Sequence, residues 1–231
     1  MFKRPLVLAL CAGVNTAAFA ARPFVTDDAR LTNSGTCQVE SWARHYQRSD
    51  EAWALVGCNP TGNLEFTLGG GHAKAEQQPG SHDHILQLKT LVKPLQTNGS
   101  GWGLALGWVR HVAAAPGPNQ WGNVYAYVPA SWSFNDDRVV VHANLGWLRQ
   151  RRSSLHNLTW GLGAEWALTS RLQAIAESYG DHRSQPFWQA GLRYGVLPGL
   201  LQVDATMGSM IQGPSASRWL SIGLRFTPEA R

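Results

Sequence analysis

Three groups of residues in this sequence have the types and spacing to do chemistry. His142 and Asn144 stand two apart in Val141-His142-Ala143-Asn144-Leu145, and side chains two apart share one face of an extended strand. A histidine steadied by a polar neighbour is part of a nucleophilic hydrolase site; the rest is a serine or threonine within hydrogen-bond reach of the imidazole. The local sequence has none, and Ser153, Ser154 and His156, close together, lack a carboxylate partner. The second group, His72, His82, Asp83 and His84, has ligand character. His82 and His84 share a face if a strand begins there, but solvated loop residues are the plainer reading, and neither a metal nor another cofactor is expected.

The third group is larger. Glu40, Arg44, Glu65, Gln87, Lys89, His142, Asn144, Glu165, Glu177, Gln189, Arg193, Gln202, Asp204 and Arg225 alternate with apolar residues, so they fall on one face of their segments. Five acids and four bases nearly cancel. Such a wall has two readings: paired charges that neutralise one another and fill an interior, or a narrow polar path that selects solutes. On the second, Glu65, Lys89, His142, Asn144, Glu165, Glu177, Gln189, Arg193, Asp204 and Arg225 line the path.

Positioning these residues requires strands. Alternation and turn signals give twelve segments: 37–46, 51–58, 63–71, 82–95, 101–112, 121–134, 138–150, 156–168, 171–179, 186–196, 200–208 and 218–226. The links 59–62, 96–100, 135–137, 169–170 and 197–199 are short; between them fall the longer 71–83, 113–120, 149–155, 180–185 and 209–217. An even strand number with alternating short and long connections is the pattern of an all-β, antiparallel up-and-down transmembrane barrel, with short turns on the periplasmic side. Its lipid face reads as Leu64, Phe66 and Leu68; Leu86 and Leu88; Leu104 and Leu106; Val139, Val141, Ala143 and Leu145; Leu162 and Ala164. Trp102 and Trp108, like Trp160 and Trp166, lie six residues apart on that face. That is roughly 20 Å along a strand and suits two interfacial girdles. A soluble sandwich would have to bury nearly all of these side chains.

Compartment follows from the N-terminus. Residues 1–20 read as a secretory signal: Lys3 and Arg4, an apolar stretch from Leu6 to Val14, and an Ala18-Phe19-Ala20 cleavage site. Residues 21–36 have no strand period and read as an extended periplasmic lead-in to a barrel of residues 37–231. The formal charge of +5 falls to +3 when Lys3 and Arg4 leave, too little and too dispersed for a nucleic-acid partner. Cys37 and Cys58 then remain in an oxidising compartment, symmetric about a polar turn at 46–50, and a cross-strand disulfide is expected. No run of apolar residues reaches the roughly 18 to 20 that a spanning helix needs.

The last segment, Arg218-Trp-Leu-Ser-Ile-Gly-Leu-Arg-Phe226, resembles the insertion signal of outer-membrane barrels, which implies that Phe226 is read by the barrel-assembly machinery. Arg22-Pro23-Phe24-Val25-Thr26-Asp27-Asp28-Ala29, Cys37-Gln38-Val39-Glu40-Ser41-Trp42, Asn63-Leu64-Glu65-Phe66-Thr67-Leu68-Gly69, Leu158-Thr159-Trp160-Gly161-Leu162-Gly163-Ala164-Glu165 and Pro186-Phe187-Trp188-Gln189-Ala190-Gly191-Leu192-Arg193-Tyr194 are similar to proteobacterial outer-membrane proteins grouped with the "MetA-pathway of phenol degradation" barrels. The resemblance implies a transporter-like barrel in the bacterial outer membrane and apolar or aromatic small-molecule solutes. Lipid and lipopolysaccharide are the expected surroundings, the latter facing Arg149, Arg151, Arg152, His156, His182, Arg183 and Arg218. A passive transporter or narrow channel, not an enzyme, is the leading expectation; a non-conducting structural or adhesion barrel and an outer-membrane lipid hydrolase are the alternatives.

Overall fold

Strand alternation builds the molecule, because a chain with one apolar and one polar face per strand satisfies both faces only by closing on itself or stacking. The computed structural model, described over residues 24–76, 80–113, 120–150 and 154–228, closes. The strands are β1 (Thr36–Tyr46), β2 (Ser49–Asn59), β3 (Glu65–Ala75), β4 (Ser81–Lys93), β5 (Ser100–Ala113), β6 (Gln120–Phe134), β7 (Val139–Arg149), β8 (His156–Ala167), β9 (Leu172–Asp181), β10 (Phe187–Leu197), β11 (Leu201–Met210) and β12 (Trp219–Phe226). Each pairs antiparallel with its sequence neighbours and β12 pairs with β1, so no edge remains. Phe226 sits at that seam, opposite Val39 on one side and Leu201 on the other.

The apolar face points outward. Leu68, Leu106, Leu145 and Leu162 are all more than half exposed and Ile222 is 70 % exposed. Such a surface is stable against lipid rather than water. Trp102 and Trp166 stand near the short-turn end, with Trp147 and Trp160 near the other. The polar face points inward, so the core is the lumen: Glu65, Lys89, Glu165, Glu177, Gln189, Arg193, Asp204 and Arg225 are buried there and His142 is fully so.

Several strand boundaries move by one to four residues from the sequence reading, most of all the end of β3. β3 runs on to Ala75 through Gly69-Gly70-Gly71, a stretch without side chains to carry a period. Its register is held across the pair, where the Trp53 ring lies over Gly71: a Cβ added there would come within 2.3 Å of the ring. The β1–β2 link is only Gln47-Arg48, although it lies at the long-loop end. Cys37 and Cys58 face each other across these two strands and are disulfide-bonded.

The short-turn end is laced together. Asn135, Asp136 and Asp137 all adopt positive φ, a conformation that Asn and Asp tolerate better than most residues. They are held by Asn98 Nδ2 donating to Asp136 Oδ1 (2.6 Å), Asp136 N donating to Asn98 Oδ1 (2.8 Å) and Thr97 Oγ1 donating to Asp137 Oδ2 (2.6 Å). Residues 24–35 form no strand. Residues 24–32 run inside the barrel rather than ahead of it, because buried wall side chains supply partners for their backbone, and residues 33–35 stand exposed at its mouth.

The signal segment 1–20 lies outside the described residues, as do Arg22, Pro23, Arg151, Arg152 and Ser153.

Candidate functional site

The lumen is divided between a filled half and an open half. In the filled half, residues 24–32 are gripped by side chains from six strands. Glu65 on β3 accepts the Thr32 N–H at 2.7 Å. Lys89 on β4, directly opposite Glu65 in the register, donates to Asp27 Oδ1 (2.7 Å) and Asp28 Oδ1 (3.4 Å). From β6, Tyr127 OH donates to Asp27 Oδ2 (2.7 Å) and Ser131 Oγ accepts the Ala29 N–H (2.9 Å). On β7, Asn144 with its amide turned to satisfy both atoms donates to the Asp27 carbonyl (2.8 Å) and accepts the Asp27 N–H (2.6 Å). Glu165 on β8 lies 3.5 Å from Arg30 Nη1. Glu177 on β9 accepts the consecutive N–H groups of Val25 and Thr26, both at 2.7 Å.

A second ring of residues holds the first. Gln189 Nε2 donates to Glu177 Oε1 (2.5 Å), and Thr206 Oγ1 donates to Gln189 Oε1 (3.3 Å). Arg193 Nη1 donates to Glu165 Oε1 (2.8 Å) and its guanidinium lies 6.0 Å from the centre of the Phe24 ring. The same ring meets His142 edge-on at 5.8 Å. Asp204 faces Arg193 across β10 and β11, Arg225 faces Glu40 across β12 and β1, and Arg225 Nε donates to Thr227 Oγ1. Thus eight of the ten inner residues singled out from the sequence touch residues 24–32 or hold a residue that does, and Asp204 and Arg225 are buried in the same wall, Asp204 opposite Arg193. Paired and hydrogen-bonded in this way, the charges are tolerable in a closed lumen.

Nothing in the local pattern points to Ser131, which register alone brings to His142: Ser131 Oγ is 2.8 Å from Nδ1, and Nε2 is 3.7 Å from Glu165 Oε1. The order of groups is that of a nucleophile, base and carboxylate. The placement is not, since Ser131 and His142 are fully buried, the hydroxyl is occupied by the Ala29 N–H, and both point away from lipid. His156 is exposed and accepts from Trp147 Nε1 (3.0 Å). His72 and His82 face each other on the outside with rings 4.6 Å apart, and no group of three metal-ligating side chains occurs among the described residues.

The open half is a cavity of about 700 Å³ bordered at the long-loop end by Asp181, Ser184 and Gln185. Residues 24–27, with Arg30 and Leu31, form its floor, where Val25 is 52 % exposed. Its walls are aromatic: Trp42 stacked on Trp53 (5.6 Å, 8°), Tyr125 on Tyr127 (6.1 Å, 17°) and Tyr179 on Phe187 (5.7 Å, 18°). Glycines keep some of these rings flat against the wall. A Cβ at Gly107 would come within 2.1 Å of the Tyr125 ring opposite, as one at Gly71 would meet Trp53. Its charged groups are paired, Arg44 with Glu51 (4.0 Å) and Lys89 with Asp27.

The chain belongs to the family described as Uncharacterised conserved protein UCP029691, whose model matches residues 6–227. No curated protein matches it. Among solved structures, the KdgM porin is similar with a TM-score of 0.59 at 9% identity, over 83% of this chain and 99% of that one. The NanC porin gives 0.59 at 13% identity, over 82% and 98%. Outer membrane phospholipase A from Escherichia coli gives 0.50 at 9% identity, over 90% and 93%. These likenesses identify the fold, an outer-membrane β-barrel of the porin type.

Proposed function

Taking the chain as a porin-like outer-membrane barrel of this family, we propose that it is a passive transporter for small uncharged solutes that carry a planar aromatic ring. The observation that carries this reading is the ring-walled cavity, open toward the long-loop side and large enough for a small ligand. Stacked aromatic pairs offer flat apolar faces, while the Tyr125 hydroxyl and the Gln87 amide it meets supply the few polar contacts that orient such a ligand. The pairing of Arg44 with Glu51 and of Lys89 with Asp27 leaves little net charge to attract an anion. The KdgM porin has been solved with oligogalacturonate; the paired charges here suit an uncharged ring instead. The inner residues Glu65, Lys89, Glu165, Glu177 and Arg193 then border the onward path.

The outer surface fits the same assignment. Its apolar belt contacts membrane lipid, and Arg149, Arg183 and Arg218 at the long-loop end are chemically suited to lipopolysaccharide phosphates. The test is titration of folded protein with benzyl alcohol, followed by tryptophan emission, alongside uptake into proteoliposomes. Saturable quenching and uptake, both lost in Trp53→Ala and neither produced by an acidic oligosaccharide, support the reading. Absence of binding and uptake in inserted wild-type protein overturns it.

A further inference from the structure

Nine residues stand between the cavity and the short-turn end of the barrel, and the way they are held differs from the way the barrel is held. The strands are joined by continuous backbone ladders. In contrast, the N–H groups of Val25, Thr26, Asp27, Ala29 and Thr32 donate to wall side chains: Glu177, Glu177 again, Asn144, Ser131 and Glu65. Among the described residues, the backbone of the β4–β5 link adds one contact, Leu95 N donating to the Ala29 carbonyl at 3.3 Å. Every one of these bonds has a water-bonded equivalent once the segment leaves, so the net cost of exchange is a fraction of the gross bond energy, larger for the three bonds to carboxylates than for those to Asn144 and Ser131.

The wall is also shaped for this occupant. On β8, a Cβ at Gly161 would lie 2.4 Å from Thr26 Oγ1, and one at Gly163 would lie 3.4 Å from the Phe24 ring. Below them the chain enters β1 through a turn at the barrel mouth, where Thr36 N and Oγ1 both bond the Asn33 carbonyl and Gly35 takes φ +73° with open space around it. Gly35 has the conformational freedom of a hinge. Nine residues hanging from it reach roughly 30 Å when extended, enough to clear the lumen.

We propose that the lumen wall is a built receptor for residues 24–32 of its own chain, and that this segment is a tethered plug whose withdrawal joins the aromatic cavity to the short-turn side. This rests on the transporter reading and says what controls it. With the plug seated, solute is bound on the outer side; with it withdrawn, Glu65, Lys89, Glu165 and Glu177 line a continuous passage.

Single-channel recording in planar bilayers tests it, using wild-type residues 21–231, a deletion of residues 24–32, and the pair Thr26→Cys with Gly161→Cys. Insertion is checked by heat-modifiable migration. The plug predicts rare openings in wild type, sustained openings in the deletion, and loss of openings in the oxidised cysteine pair that reductant restores, with wild type in the same reductant as control. A folded deletion variant with wild-type openings overturns the plug but leaves a channel. Silence from inserted barrels of both forms removes the transporter reading, and the plug's role falls with it. Should the deletion variant fail to fold, the cysteine pair decides alone: openings unchanged on oxidation overturn the plug.

Discussion

Lys89→Met is the most informative single substitution. The ammonium is almost wholly buried and bonds Asp27 at 2.7 Å and Asp28 at 3.4 Å. Removing one partner of a buried pair costs about 3–5 kcal/mol because the other charge is left uncompensated. Here Asp27 keeps the Tyr127 hydroxyl and Asp28 keeps Arg30 at 3.7 Å, which places the cost near the lower bound, about 3 kcal/mol. The two aspartates recover water as soon as residues 24–32 leave, and Glu65 opposite position 89 is then opened to water as well, so the penalty falls on the seated state. At about 1.4 kcal/mol per factor of ten, the seated-to-withdrawn ratio drops roughly a hundredfold. Hydrogen exchange read on peptides covering residues 24–32 measures this directly, since the amides of Val25, Thr26, Asp27, Ala29 and Thr32 are held by wall side chains. The expected result is about hundredfold faster exchange in that segment with β5 and β7 unchanged. Lys93→Met, which removes an exposed contact to Ser100 Oγ at 3.0 Å, serves as the control and leaves exchange as in wild type. Unchanged exchange of residues 24–32 in folded Lys89→Met refutes the argument that buried charge pairing seats the segment.

Replacing both Cys37 and Cys58 by Ser releases a link spanning 21 residues and lowers stability by about 3 kcal/mol in the loop-entropy model; urea unfolding in detergent reads the shift, and a midpoint equal to wild type contradicts it. Gly71→Ala places a methyl 2.3 Å from the Trp53 ring, which drives the indole off the wall and into the cavity. Benzyl alcohol binding is expected to weaken while the barrel still migrates as folded, and unaltered binding would show that the flat ring does not matter. Phe226→Ala removes the last side chain of the β12 seam, and a lower outer-membrane level with near-normal refolding in detergent is the outcome expected of an assembly signal; equal levels in cells would dismiss that role.

Much of the architecture was legible because its information is local. Period-two alternation fixes which face of each strand meets lipid, and a slip of one residue would turn Leu104, Leu106 and their neighbours inward. The disulfide could be read from the symmetry of Cys37 and Cys58 about one turn, which is again a property of adjacent strands. Where local pattern failed, it failed for want of side chains, as at Gly69-Gly70-Gly71, where Trp53 on the neighbouring strand supplies what the glycines lack.

The ten inner residues were likewise recognisable as a set, but not for what they hold. Residues 24–32 have no period of their own, and their partners lie 33 residues away at Glu65, 102 at Ser131 and 152 at Glu177. Only closure of β12 on β1 wraps those strands around one axis and turns separate polar faces into a single receptor. In the same way Trp42, Tyr125 and Tyr179 come to wall one cavity, whereas Ser131 meets His142 by the register of adjacent strands alone. Alternation acts between neighbours and so dictates a barrel with a polar interior; what fills that interior depends on the closed structure, since a lumen exists only after the first and last strands have met.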